Sequence, residues 1–183
     1  TIASPIVINP HLFRKLPYDP LRDLIPVKLT AVAAQLLVAH VSVPANNVGE
    51  LIAYAKAHPG KLNFGSYGQG TSSHLYLEML KSSAGIDVVH IPYKGAGDAI
   101  NDLVAGRVDL MFMGLTAPLS HVRQGNLKVL GVVGDKRLSG MPDVPSFEEQ
   151  GIHGMELTGW LGVFAPARTP PPVIDRLESE LAR

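Results

Sequence analysis

The chain has 183 residues, 46% of them apolar and 17% charged, a globular composition long enough for one sizeable core or two small lobes. Sixteen basic and sixteen acidic residues cancel, which argues against a nucleic-acid partner, whose footprint is a basic stripe. There is no cysteine, which removes disulfides, thiol catalysis and thiolate metal sites, and no apolar run reaches the roughly 18 residues of a membrane span.

In chain order, residues 1–27 are proline-rich and read as a strand followed by an irregular connection. The apolar run Leu29 to Val43 reads as one extended strand or two. Asn47 then stands as an N-cap with Glu50 three residues on, the spacing of a capping box. Val48, Leu51, Ile52 and Ala55 recur at helical spacing until Pro59-Gly60. "KLNFGS" reads as a strand, and Thr71 or Ser72 caps a helix with an apolar stripe of Leu75, Leu77, Met79 and Leu80. "IDVVHIPY", "RVDLMFM" and "LKVLGVV" read as strands, separated by helices over "AGDAINDLVAG" and "APLSHVRQG". From Gly134 the chain is turn-rich, until "WLGVFAP" offers a last strand and "RTPPPVIDRLESELAR" a proline-led helix. Short apolar runs alternating with helical patterns predict an α/β fold with largely parallel strands. The opening carries neither an initiator methionine nor a signal peptide, and the last residues stop inside a helical pattern. The expectation is a chain cut from a longer one at both ends.

The stretch "NFGSYGQGTSSHLYLEML", Asn63 to Leu80, is the richest in chemistry. Its glycines, Gly65, Gly68 and Gly70, follow G-x-x-G-x-G. That is not the dinucleotide G-x-G-x-x-G, and no Walker lysine follows. A strand feeding a glycine-rich loop and then a helix does present the helix's unpaired first N–H groups and its dipole to an anion. Ser66, Thr71, Ser72 and Ser73 add hydroxyl groups. Charge-assisted hydrogen bonds contribute about 1.5–3 kcal/mol each, so a few account for much of the ~8 kcal/mol of a micromolar complex. The same pattern also suits a capped helix behind a flexible turn.

A nucleophile elbow requires G-x-S-x-G, and Phe64 stands two residues before Ser66. No spacing ties His74, His90 or Asp109 to Ser66, so no catalytic residue is assigned. His74 and Glu78 share a helix face, but the seven histidines form neither H-x-x-x-H nor H-E-x-x-H, so no metal and no cofactor are assigned. Tyr93 and Lys94 end one strand, and Met113, Gly114 and Thr116 lie at the end of another, the edge at which open α/β sheets bind ligands. Lys94 reads as a surface residue, Tyr93 as packed, and Asp109 as structural at its strand start.

Five segments in order, "NPHLFRKLPYDPLRDLIPV", "GSYGQGTSSHLYLEML", "HIPYKGAGDAINDLVAGRVDLMF", "LKVLGVVGDKRLSGMPDVPSFEEQGI" and "WLGVFAPARTPPPVIDRL", resemble the Bug-type solute-binding receptors of tripartite tricarboxylate transporters. The resemblance implies a two-lobed α/β periplasmic binding protein fold, the type II Venus flytrap, clamping a ligand between lobes. By it, residues 1–28 and 151–183 are parts of the first lobe and residues 29–150 are the second. It implies a monomeric, periplasmic, non-enzymatic receptor for a small carboxylate: a di- or tricarboxylate, an aromatic acid or an amino acid. Membrane transporter subunits are the implied partners. Carried over by position, the ligand loop is Gly65, Ser66, Tyr67, Gly68, Gln69, Gly70, Thr71 and Ser72, with Met113 and Gly114 lining the cleft and Ser4 approaching from the other lobe. Many members carry an acid where this chain has Met113, which favours a plain carboxylate over an amino acid. A ligand-sensing effector domain of a transcription regulator, which shares the two-lobed architecture, is the alternative.

Overall fold

A computed structural model describes residues 4–155 and 159–182. In chain order the elements are a π-helical turn Ser4–Ile8, α1 Asn9–Leu12, α2 Pro20–Asp23, β1 Leu24–Ala33 and β2 Gln35–His40. Then come α3 Val48–Ala57, β3 Asn63–Ser66, α4 Ser72–Ala84, β4 Val89–Pro92 and α5 Ala96–Val104. They are followed by β5 Leu110–Gly114, α6 Leu119–Arg123, β6 Leu127–Val132, a 3-10 turn Glu148–Gln150, β7 Gly159–Pro166 and α7 Pro171–Glu180. The chain divides into two compact units, residues 1–33 with 158–183, and residues 34–157. These divisions lie a few residues beyond the sequence-based lobe boundaries at 28/29 and 150/151.

In the first unit, β1 and β7 form a two-stranded antiparallel sheet, Leu24 opposite Pro166 and Ala33 opposite Gly159. The opening stretch is not the expected strand over its described part. Prolines deny a ladder its donors and favour the first turn of a helix instead. Pro10 and Pro20 sit in the first turns of α1 and α2, and the Asp19 carboxylate caps α2 by accepting from the Leu21 and Arg22 amides. The strand begins only at Leu24. Its sheet carries a groove lined, apart from Lys28, by apolar residues such as Pro26, Val32, Trp160 and Phe164.

The second unit is a five-stranded sheet in the order β4-β3-β5-β2-β6. Strand β3 runs parallel to β4 and β5. Strand β2 departs from the expected parallel pattern and runs antiparallel to both β5 and β6. The apolar run from Leu29 thus resolves into two strands, β1 and β2, belonging to different sheets. Side chains alternate across the sheet. Leu37, Phe64 and Phe112 pack with α3 and α4, through Leu51, Tyr76, Leu77 and Leu80. Leu36, Val38, Met111 and Met113 pack on the other face with Ala99 and Leu103 of α5.

Local signals place the helices. Asn47 caps α3 by accepting from the Glu50 amide at 2.8 Å, and Glu50 Oε2 reaches back to the Asn46 amide at 2.7 Å, a capping box displaced by one residue. The Val48 amide, in the first turn of α3, donates to Gln150 Oε1 at 2.6 Å, so the turn-rich segment after β6 is stapled to the sheet's helical layer. Helix α4 buries Ser73, Tyr76, Leu77 and Leu80, an i, i+3, i+4, i+7 stripe. The expected Leu75 and Met79 are only half-buried, because the stripe is set by Ser73 and Tyr76 rather than by aliphatic residues alone.

Candidate functional site

Strand β3 delivers the glycine loop to the carboxyl edge of the sheet. Phe64 is anchored in the core. Gly65 permits close packing, since a Cβ there would approach Met111 and Val108 to 3.1–3.2 Å. Ser66 ends the strand, and its carbonyl accepts from the Tyr93 amide of the neighbouring β4–α5 connection at 2.9 Å. Gly68 (φ 127°) and Gly70 (φ 75°) occupy backbone conformations that a side chain would strain.

The loop is then tied to itself. The Gly68 carbonyl accepts from the Thr71 hydroxyl at 2.7 Å and from the Thr71 amide at 3.3 Å. The Gly68 amide donates to Ser66 Oγ at 3.2 Å. Thr71 is the N-cap of α4, and its hydroxyl is turned to donate to Gly68 and accepts from no helix amide. The first-turn amides of Ser72, Ser73 and His74 consequently find no acceptor among the described residues. Ser73 Oγ, wholly buried, donates to the Phe112 carbonyl at 2.8 Å and locks the start of α4 onto β5. A helix start with unpaired donors at the partly exposed Ser72 and His74 and the positive end of its dipole is suited to an anion.

The sequence-assigned residues fall in different surroundings. Gly65, Ser66, Tyr67, Gly68, Gly70, Thr71 and Ser72 form one continuous strand–loop–helix segment. Ser66 is wholly buried, so its hydroxyl organises the loop from behind. Tyr67 packs its ring beside the cluster containing Leu36 and Met113, and burial pushes its hydroxyl up to about 12. Met113 is wholly buried in that cluster. Gly114, opposite Gln35 at the end of β5, has open space where a Cβ would stand. Ser4 belongs to the other compact unit, at the start of its π-helical turn.

Tyr93 is packed as expected and donates its hydroxyl to Asp102 Oδ2 at 2.7 Å, while Lys94 is exposed. Burial, then the Asp102 bond, raise the Tyr93 hydroxyl to about 12. Asp109 is structural, its carboxylate accepting from the Asn63 amide at 2.7 Å where β3 begins.

Two histidines that no motif had placed lie against the loop. His90 Nε2 is 2.6 Å from Ser66 Oγ. The His74 ring stacks on that of His90, with centroids 4.1 Å apart and planes 11° from parallel. His74 Nδ1 accepts from the Gly70 amide at 3.2 Å. Only the parallel register of β3 and β4, which sets Phe64 opposite His90, brings them together, and no local spacing encodes it. Burial and the neighbouring His74 hold the His90 imidazole below its ordinary range. The contact is half of a Ser–His pair, but Ser66 has no exposure to a substrate and no carboxylate bonds His90 among the described residues. Nor do the described residues hold a group of three or more His, Asp or Glu suited to a metal.

The family model described as "Tripartite tricarboxylate transporter family receptor" matches residues 1–183. Three solved structures are similar to this chain. R. palustris Rpa4515 with adipate is 31% identical, with a TM-score of 0.94 over all of this chain and 61% of its own. MatC from Rhodopseudomonas palustris with bound malate is 31% identical, with a TM-score of 0.87 over 96% of this chain and 60% of its own. The periplasmic binding protein BugD is 34% identical, with a TM-score of 0.86 over 97% of this chain and 58% of its own. The chain spans about half the length of the curated relatives it matches, 53% of one that is 39% identical. A family model that matches the whole chain, with these structural likenesses at over 30% identity, places the chain: it belongs to the receptor family of the tripartite tricarboxylate transporters.

Proposed function

We propose that the protein is a non-enzymatic periplasmic receptor whose β3–α4 loop grips a carboxylate of a small di- or tricarboxylate. The observation that carries this reading is the pair of unpaired amides at Ser72 and His74, at a helix start where the Thr71 and Ser73 hydroxyls donate to the Gly68 and Phe112 carbonyls. That the similar structures hold adipate and malate supports the ligand class. Gly65, Ser66, Gly68, Gly70 and Thr71 shape the cradle, and Thr71 and Ser72 stand at its rim. Tyr67, Met113 and Gly114 form the adjoining strand ends. Residues 1–28 and 151–183 are assigned to one lobe and 29–150 to the other, a reading that the division of the chain into two units supports. The receptor acts as a monomer and hands its ligand to membrane transporter subunits.

The test is a thermal-shift panel on the protein with malate, adipate, citrate, benzoate and glutamate, each paired with its neutral amide. A bound carboxylate at a hundredfold excess over Kd stabilises by about 2.7 kcal/mol. The expected result is a shift with di- or tricarboxylates that their amides do not give. Equal shifts with the amides, or none with any acid, would remove the proposal.

A further inference from the structure

The loop's two positive-φ glycines are held from behind by one chain of polar groups. Gly70 N–H donates to His74 Nδ1 at 3.2 Å, and Gly68 N–H donates to Ser66 Oγ at 3.2 Å. Ser66 Oγ meets His90 Nε2 at 2.6 Å, and the two imidazoles stack at 4.1 Å. An imidazole nitrogen accepts only while it carries no proton. The Gly70 bond therefore fixes the His74 proton on Nε2, the nitrogen 3.8 Å from Glu78 Oε1. A second proton on His74 would turn Nδ1 into a donor facing another donor, and the Gly70 amide would have to leave. Two cations in face-to-face contact also repel.

We propose, resting on the reading of this loop as a carboxylate cradle, that His74 and His90 are positioning residues that hold Gly68 and Gly70 in the binding conformation only while His74 Nδ1 is unprotonated, so that carboxylate affinity rises with pH. The charged and titratable groups around the pair fit this reading. Helix α4 contributes His74, Glu78 and Lys81. Strand β3 contributes no titratable side chain, and β4 none besides His90. Glu78, the group that would draw a proton onto the pair, is shared with Lys81 at 3.3 Å, which weakens its pull. Burial and His74 both favour the neutral form of His90. The opposing effect is the attraction of an imidazolium for an anion, which predicts the reverse slope.

The experiment uses the whole protein and two readouts. Amide NMR follows Gly68 and Gly70 between about pH 8 and pH 6, the range in which histidine titrates. Calorimetry measures malate and adipate over the same range. His74→Asn keeps an acceptor near Nδ1 without a titrating ring, and His74→Phe keeps a ring without an acceptor. In the parent protein the Gly70 amide is expected to follow the imidazole titration, and affinity to fall by up to about fourfold from pH 8 to pH 6, the limit for one imidazole of ordinary value. His74→Asn should lose the amide response and keep only the part of the affinity slope that the ligand's own protonation gives to both proteins, and should bind more tightly than His74→Phe. A Gly70 amide indifferent to pH overturns the proposal. So does an equal pH slope in the parent and His74→Asn, or tighter binding on acidification. If no variant binds either acid at any pH, the receptor reading fails and the linkage with it, while the NMR arm still reports whether the histidines hold the glycines.

Discussion

Replacing Gly68 with alanine tests the loop most directly. Gly68 has φ 127°, a backbone region where a side chain costs about 1–3 kcal/mol. The added Cβ would stand 3.2 Å from the Tyr93 carbonyl oxygen, a backbone atom with little freedom to yield. Tyr93 is fixed at both ends, by its amide on Ser66 and its hydroxyl on Asp102. Overpacking of this kind adds about 1–3 kcal/mol. Because the loop can shift to relieve part of both costs, the expected loss of stability is about 2–3 kcal/mol. At about 2–4 °C per kcal/mol for a chain of this size, Tm falls by about 4–12 °C. The same shift misaims the cradle. Loss of one charge-assisted bond of about 1.5–3 kcal/mol weakens carboxylate binding by roughly 10- to 100-fold. Urea denaturation reports the first effect and calorimetry the second. A variant that unfolds within about 0.5 kcal/mol of the parent and binds malate or adipate equally well would refute the reasoning.

Three further outcomes are expected. Gln150→Ala should lower stability by about 1–3 kcal/mol in urea melts, because it removes the acceptor of the Val48 amide and the donor to the Leu130, Pro145 and Ser146 carbonyls. Gly97→Ala, in the first turn of α5 with nothing within 4 Å of the added Cβ, should raise stability by about 0.4–1 kcal/mol in the same assay. The hydroxyls of Tyr67, Tyr76 and Tyr93 are held at about 12, chiefly by burial, above the ordinary tyrosine value of about 10. The unfolded chain releases these protons more readily. Stability from this source is therefore intact below about pH 10 and lost as pH rises towards 12. Ultraviolet difference titration should show unfolding and tyrosinate formation together in that window.

What the sequence made legible was local. Asn47 and Glu50 announce α3 because a capping box needs only neighbouring residues. The β3–loop–α4 unit was legible because glycines mark the special backbone and hydroxyl residues mark the helix start. The antiparallel course of β2 was hidden, since its partners β5 and β6 lie far downstream. The apolar run Leu36 to Ala39 looks alike in either direction. The first 27 residues misled because a run of prolines suits irregular connections and helix starts equally, and the cap that Asp19 supplies to the Leu21 and Arg22 amides shows only in the folded chain. His74 and His90 were each visible as titratable residues, yet their stacking depends on a strand register that no short-range spacing records.

The central place of β2 bears on how the molecule is made. Leu36, Leu37, Val38 and Ala39 have no exposure in the finished protein, yet both flanking strands come late, at residues 110–114 and 127–132. During synthesis this apolar strand emerges before both of its partners and waits unpaired until β5 follows it, an exposed edge of the kind that recruits other chains. Non-local pairing of this sort also slows folding. A strand with no exposure in the finished protein thus spends that interval with its ladder groups open, and β1, whose partner β7 lies at Gly159–Pro166, waits longer still.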